Sequence, residues 1–147
     1  MRVRSDACRF RKGFTLIELL VVLIVIGLLA GLVAPQIVGR ISDARVTTAK
    51  AQIALLNVAL ESYRLDNGRY PTTEQGLAAL RDAPVRPPVP NNWKGPYLRN
   101  PVPADPWGNP YRYRSPGTIN KSGYDIVSFG RDGKPGGAGE DADLSGQ

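Results

Sequence analysis

Residues 11–18 read Arg11-Lys12-Gly13-Phe14-Thr15-Leu16-Ile17-Glu18, and an apolar run then continues through Leu19 and Ala34 to Pro35. From Phe14 to Ala34 only Thr15 and Glu18 are polar. A helix over residues 14–34 rises about 1.5 Å per residue and reaches about 30 Å, the thickness of a bilayer's hydrocarbon core. The run therefore predicts a single membrane span with a carboxylate one turn from its start. Arg2, Arg4, Arg9, Arg11 and Lys12 precede it, against Arg40, Arg45 and Lys50 after it. That bias puts the N-terminus on the cytoplasmic side and the C-terminal part outside.

Glu18 admits two readings from the residues alone. A charge inside a span costs roughly 3 kcal/mol, which a cationic N-terminus of a neighbouring subunit could offset in an assembly. Alternatively, the carboxylate snorkels to the interface and favours the helix dipole. A secretory signal peptide also begins basic and then apolar. Here the run is longer than such a segment needs, and Gly31-Leu32-Val33-Ala34-Pro35 leads into more helix pattern, so an uncleaved anchor is favoured over release after Ala34.

The chain has 147 residues, room for the span and one small globular domain. Its net charge of +6 sits mostly ahead of the span, since 14 basic residues face 12 acidic ones from Phe14 onward. No basic face with interleaved aromatics remains, so no nucleic-acid partner is expected. Cys8, the single cysteine, lies in the basic leader with no apolar run before it, which argues against lipidation; an intramolecular disulfide is excluded. With no histidine, neither a Ser/His/Asp nor a Cys/His constellation can form, and no enzymatic activity is expected.

After Pro35, the positions Val46, Ala49, Ile53, Leu56, Leu60 and Tyr63 recur at spacings of three and four, one face of a helix. Ala44, Ala51, Leu55, Val58 and Leu65 form a second apolar stripe beside it, and Lys50, Gln52, Asn57, Glu61 and Arg64 occupy the positions expected to be exposed. Asn67-Gly68 supplies a left-handed stop. The pattern predicts one helix of about 50 residues, apolar first and amphipathic after, with Gly27, Gly31 and Pro35 marking where it can bend or unwind. Thr72 and Gln75 have the spacing of a capping box ahead of a short helix bearing Leu77 and Leu80. Residues 83–110 carry nine prolines and read as a loop ordered by Trp93, Tyr97, Leu98 and Trp107. Tyr111–Tyr113 and Tyr124–Phe129 alternate as strands around the turn Asn120-Lys121-Ser122-Gly123.

From Gly130 the chain turns to glycine and acid, with Asp132, Glu140, Asp141 and Asp143. A solvated tail is one reading. A loop around a hard cation is the other, because carboxylates and glycine-permitted carbonyls are the oxygen ligands Ca²⁺ takes. The spacing is not an EF-hand, and without cysteine or histidine Zn²⁺ and copper are poor candidates.

Lys12-Gly13-Phe14-Thr15-Leu16-Ile17-Glu18 resembles the processing motif of type IV pilins and type II secretion pseudopilins. The blocks Leu65-Asp66-Asn67-Gly68-Arg69-Tyr70-Pro71-Thr72-Thr73-Glu74-Gln75-Gly76-Leu77, Asp105-Pro106-Trp107-Gly108 and Tyr124-Asp125-Ile126, with Gly130, Asp132 and Gly133, resemble the general secretion pathway protein G family, the major pseudopilins. The resemblance implies an α+β, type IV pilin-like fold, a long N-terminal helix on a small antiparallel β-sheet. It implies a leader, residues 1–13, removed by prepilin peptidase, with cleavage after Gly13 and N-methylation of Phe14. A transmembrane half, 14–34, and a periplasmic domain, 35–147, would follow, and Glu18 would be needed for assembly. The implied role is the main subunit of an inner-membrane-anchored periplasmic filament that exports folded proteins. Its partners would be further copies of itself, minor pseudopilins, the inner-membrane assembly platform and the outer-membrane secretin. A pilin-like subunit for adhesion or DNA uptake is the alternative. The resemblance further implies Ca²⁺ bound by Asp132, by Asp141 or Asp143, and by carbonyls including that of Phe129. The family commonly continues past the acidic loop with a further strand, whereas Leu144 is followed here by Ser-Gly-Gln, which predicts a last strand that is missing or very short.

Overall fold

The computed structural model describes residues 13–146, apart from the side chains of residues 33–38. The expected leader, as far as Lys12 and including Cys8, lies outside the described residues. Helix α1 spans Leu16–Asn67, 52 residues, as the periodicity predicts. Its residues belong to two compact units, one reaching to Arg40 and one running from Ile41.

In the first unit the apolar side chains of Leu16–Leu32 are exposed, Leu23 to 70% and Leu28 to 71%. Among the described residues no helix is long and apolar enough to cross a membrane.

In the second unit α1 buries one stripe: Ala49, Ile53, Leu56, Leu60 and Tyr63. Each large member stabilises the fold by about 1.5–3 kcal/mol through burial. Ile53, Leu56, Leu60 and Tyr63, with Ala59 beside them, meet Leu77, Ala79, Leu80, Tyr111 and Ile126 in one core, with Trp93, Tyr97 and Leu98 of the proline-rich loop packed against it. Trp107 stays outside that core and turns its indole N–H toward Glu140.

The second apolar stripe is not buried: Leu55 and Val58 are each 66% exposed and Leu65 82%. Its place beside the core is taken by residues expected to face solvent. Gln52, Asn57 and Glu61 accept the hydroxyls of Tyr111, Tyr124 and Tyr70, and one turn on Asp66 accepts that of Tyr97. The physical reason is the tyrosine content of the opposing surface. Phenol bodies supply apolar area, but their hydroxyls require acceptors once water is displaced.

Local signals hold where they were read. Gly68 adopts φ 73° and its N–H bonds the Arg64 carbonyl at 2.7 Å, ending α1. The Gln75 N–H donates to Thr72 Oγ1 at 3.2 Å and the Thr72 N–H to Gln75 Oε1 at 3.0 Å, a reciprocal cap before the 3-10 turn Leu77–Leu80. Strands β1 (Arg112–Arg114), β2 (Asp125–Ser128) and β3 (Leu144–Ser145) form an antiparallel sheet in that order. The last strand exists but is only two residues long.

Candidate functional site

Gly13, Phe14 and Thr15 precede α1 in non-helical conformation, and Phe14 is 83% exposed. Thr15 is the N-cap of α1. Its N–H and hydroxyl donate to Glu18 Oε2 at 2.8 and 2.9 Å, and the Glu18 N–H donates back to Thr15 Oγ1 at 3.3 Å. The carboxylate isolated in the apolar run thus has partners within its own first turn. The signature is Thr-x-x-Glu, the same capping-box signal that was read at Thr72 and missed here.

The 130–143 segment is folded back on itself as a closed loop. The Arg131 N–H bonds the Glu140 carbonyl at 2.8 Å. Gly130 and Gly137, at φ 63° and 97°, are approached so closely that a Cβ would collide with the carbonyl oxygens of Glu140 and Asp141 respectively. Only glycine tolerates both the angle and the contact.

The structure treats the candidate ligands differently. Asp132 Oδ1 accepts the Lys134 N–H at 3.0 Å, and Asp143 Oδ2 accepts the Gly136 N–H at 2.9 Å. Asp143 and Phe129 line one recess on the sheet, about 340 Å³ in volume. Asp141 is gripped by Arg131, whose Nε and Nη2 reach its two oxygens at 3.0 Å each. These bonds to Asp141 raise the guanidinium's pKa above its ordinary value. Among the described residues no group of three or more histidine, cysteine, aspartate or glutamate side chains is placed to hold a metal, so Asp132, Asp141 and Asp143 are not gathered into one cluster.

Two buried carboxylates organise the frame around this loop. Asp105, 4% exposed, accepts the N–H groups of Trp107 and Asn109 on Oδ1 at 3.1 and 2.7 Å, and the Ser128 hydroxyl on Oδ2. Asn109 Nδ2 then donates to the Gly130 carbonyl at 2.7 Å, tying the 105–109 turn to the start of the acidic loop. Asp125 accepts the N–H groups of Thr118, Ile119 and Asn120 and the Thr118 hydroxyl. Burial pushes its pKa up, and these donors outweigh burial to bring it down to about 2. Neither role was read from the sequence, because both depend on donors that only the folded turns supply.

A family profile described as "Type II secretion system (T2SS), protein G" matches residues 36–147, and one described as "Prokaryotic N-terminal methylation motif" matches residues 8–34. The chain is similar to the type II secretion system core protein G of Pseudomonas aeruginosa, at 50% identity over 92% of this chain and 94% of that one. Against the Aeromonas hydrophila protein of the same name the identity is 46%, over 92% of each chain. It is also similar in structure to the major pseudopilin from the type 2 secretion system of enterohaemorrhagic Escherichia coli, seen in a crystal structure. The TM-score is 0.62 and the identity 38%, over 74% of this chain and 90% of that one.

Proposed function

The chain belongs to the type II secretion system protein G family, and on that premise we propose that it is the major structural subunit of a type II secretion pseudopilus, polymerising into a periplasmic filament that drives folded proteins across the outer membrane. The observation that carries this reading is the presence, in one chain, of an N-terminal methylation motif and a protein G domain. The exposed apolar face of Leu16–Leu32 supports a helix that is anchored in the inner membrane before assembly and covered by other subunits afterwards. In this reading prepilin peptidase cuts between Gly13 and Phe14 and methylates the new amine. That amine, on a neighbouring copy, neutralises Glu18 in the filament. The assembly platform, the minor pseudopilins and the secretin are the other partners.

Ca²⁺ belongs to the same proposal. The donor set of the 130–143 loop is entirely oxygen, carboxylates and closely wound carbonyls, which fits a hard cation. Asp132, one of Asp141 and Asp143, and the Phe129 carbonyl would hold it. The bound ion would supply positive charge and stabilise the folded loop by linkage.

The test is complementation of a bacterium whose own protein G gene is deleted, combined with intact-mass spectrometry of the subunit. Restored secretion and an N-methylated Phe14 start are expected. An uncut Met1, or an N-terminus after Ala34, would overturn the reading.

A further inference from the structure

We propose that Arg131 is a cation built into the acidic loop: a clasp that keeps residues 139–141 closed without metal and withdraws Asp141 from the metal's donors, leaving Asp143 to act with Asp132. The part that concerns metal rests on the Ca²⁺ reading above. The clasp itself does not.

The argument begins with charge. Glu140 and Asp141 are adjacent carboxylates in the 3-10 turn Gly139–Asp141, and two arginines meet them. Arg131 takes Asp141 with two parallel N–H···O bonds, and its Nη1 lies 3.3 Å from Glu140 Oε2. Arg45, from α1, brings Nη1 to 3.6 Å from Glu140 Oε1, beside the indole N–H of Trp107 at 3.4 Å. Two anions are thereby balanced by two guanidinium groups, and the turn is fastened both to α1 and to its own loop. The fork of Arg131 matches a carboxylate in a way a lysine ammonium cannot. Its backbone N–H adds a bond to the Glu140 carbonyl at 2.8 Å, so side chain and main chain close the loop at one place.

Asp132 and Asp143 are left in a different state. Among the described residues neither makes an ion pair, and the hydrogen bonds they receive come from backbone N–H groups two residues apart, Lys134 and Gly136. A cation that recruited Asp141 would first have to displace the guanidinium from both its oxygens. Recruiting Asp143 breaks no ion pair, and Asp143 already shares a recess with Phe129. Arg131 therefore acts as a positioning residue, selecting the ligand by occupying its competitor.

The test uses the full chain in detergent micelles: wild type, Arg131→Ala, Arg131→Lys, Asp141→Asn and Asp143→Asn. Hydrogen exchange over residues 130–143 is measured first in EGTA. The wild-type Arg131 amide should be protected without metal, Arg131→Ala should lose that protection by about tenfold or more, and Arg131→Lys should fall between them. Unchanged exchange in Arg131→Ala with an intact core overturns the clasp, and global loss of protection in that variant passes the decision to Arg131→Lys. Ca²⁺ titration by calorimetry follows. Asp143→Asn should weaken binding by more than about tenfold and Asp141→Asn by much less. The reverse order overturns the ligand choice. A wild-type chain that takes up no Ca²⁺ in the millimolar range sinks the Ca²⁺ reading and the ligand choice that rests on it, and the EGTA experiment still decides the clasp.

Discussion

The hydroxyl of Tyr124 lies 3.1 Å from Asn57 Oδ1, joining the residue ahead of β2 to the C-terminal part of α1 by one polar bond at the margin of the core. Three more tyrosines repeat the arrangement along the helix, Tyr111 on Gln52, Tyr70 on Glu61 and Tyr97 on Asp66. Tyr63 differs: it is fully buried, and its hydroxyl has no hydrogen-bond partner among the described residues. Removing a paired hydroxyl strands its acceptor, whereas removing an unpaired one relieves a desolvated dipole. Tyr124→Phe should therefore cost about 1 kcal/mol in urea unfolding. Tyr63→Phe should be neutral or stabilising, and a loss as large as that of Tyr124→Phe would mean that the Tyr63 hydroxyl has a partner after all.

Asp125 sets an acid limit. Its folded pKa, about 2, lies below the ordinary aspartate value of 3.8, so its contribution to stability is complete above roughly pH 4 and disappears as pH falls toward 2. The melting temperature should drop through that window. Asp125→Asn should lower stability at neutral pH and flatten the part of the acid limb that Asp125 contributes. An unchanged acid limb in the variant would assign the transition to other carboxylates.

Gly130 and Gly139 share nearly the same backbone angle, φ 63° and 64°, but only Gly130 has a carbonyl against its missing side chain. Alanine at either site meets the left-handed penalty of about 1 kcal/mol. Gly130→Ala must also push the Glu140 carbonyl away, so it should be the more damaging by roughly 1–3 kcal/mol. Equal melting temperatures for the two variants would contradict the close packing of that turn.

Glu18 has two tasks that one substitution separates. Its Oε2 accepts both Thr15 donors, and its charge is what a neighbour's amine would meet in a filament. Glu18→Gln keeps an acceptor oxygen and loses the charge; Glu18→Ala loses both. Circular dichroism should show near-native helix for Glu18→Gln, while sheared-filament yield should fall to background in both variants. Wild-type yield for Glu18→Gln would assign the residue to capping alone.

How much of this was readable in the chain depended on distance along it. The buried stripe of α1, its stop at Gly68 and the Thr72–Gln75 cap involve residues within a few turns of one another, and their spacing announces them. Gln52 and Asn57 were placed in solvent because their partners lie 59 and 67 residues on, and Glu61 because the chain turns back after Gly68 to bring Tyr70 onto it; polarity alone does not say which polar face meets a tyrosine. The grip of Arg131 on Asp141, ten residues apart, escaped because spacing alone does not show that the chain doubles back between them. A basic residue among acids reads as composition until the Gly130 and Gly137 turns fold the two limbs together. At Thr15 the local signal was present, but the apolar run overshadowed it.

The position of Gly146 carries a consequence for timing. Its N–H bonds the Ile126 carbonyl at 3.3 Å, and a methyl group there would run into the Ile53 side chain, so the residue after β3 fits tightly over the C-terminal part of α1. A growing polypeptide displays Ile53 long before it has made Gly146. Joining the two closes a long loop of chain, so this seam forms late in folding, after the local turns and the helix are in place.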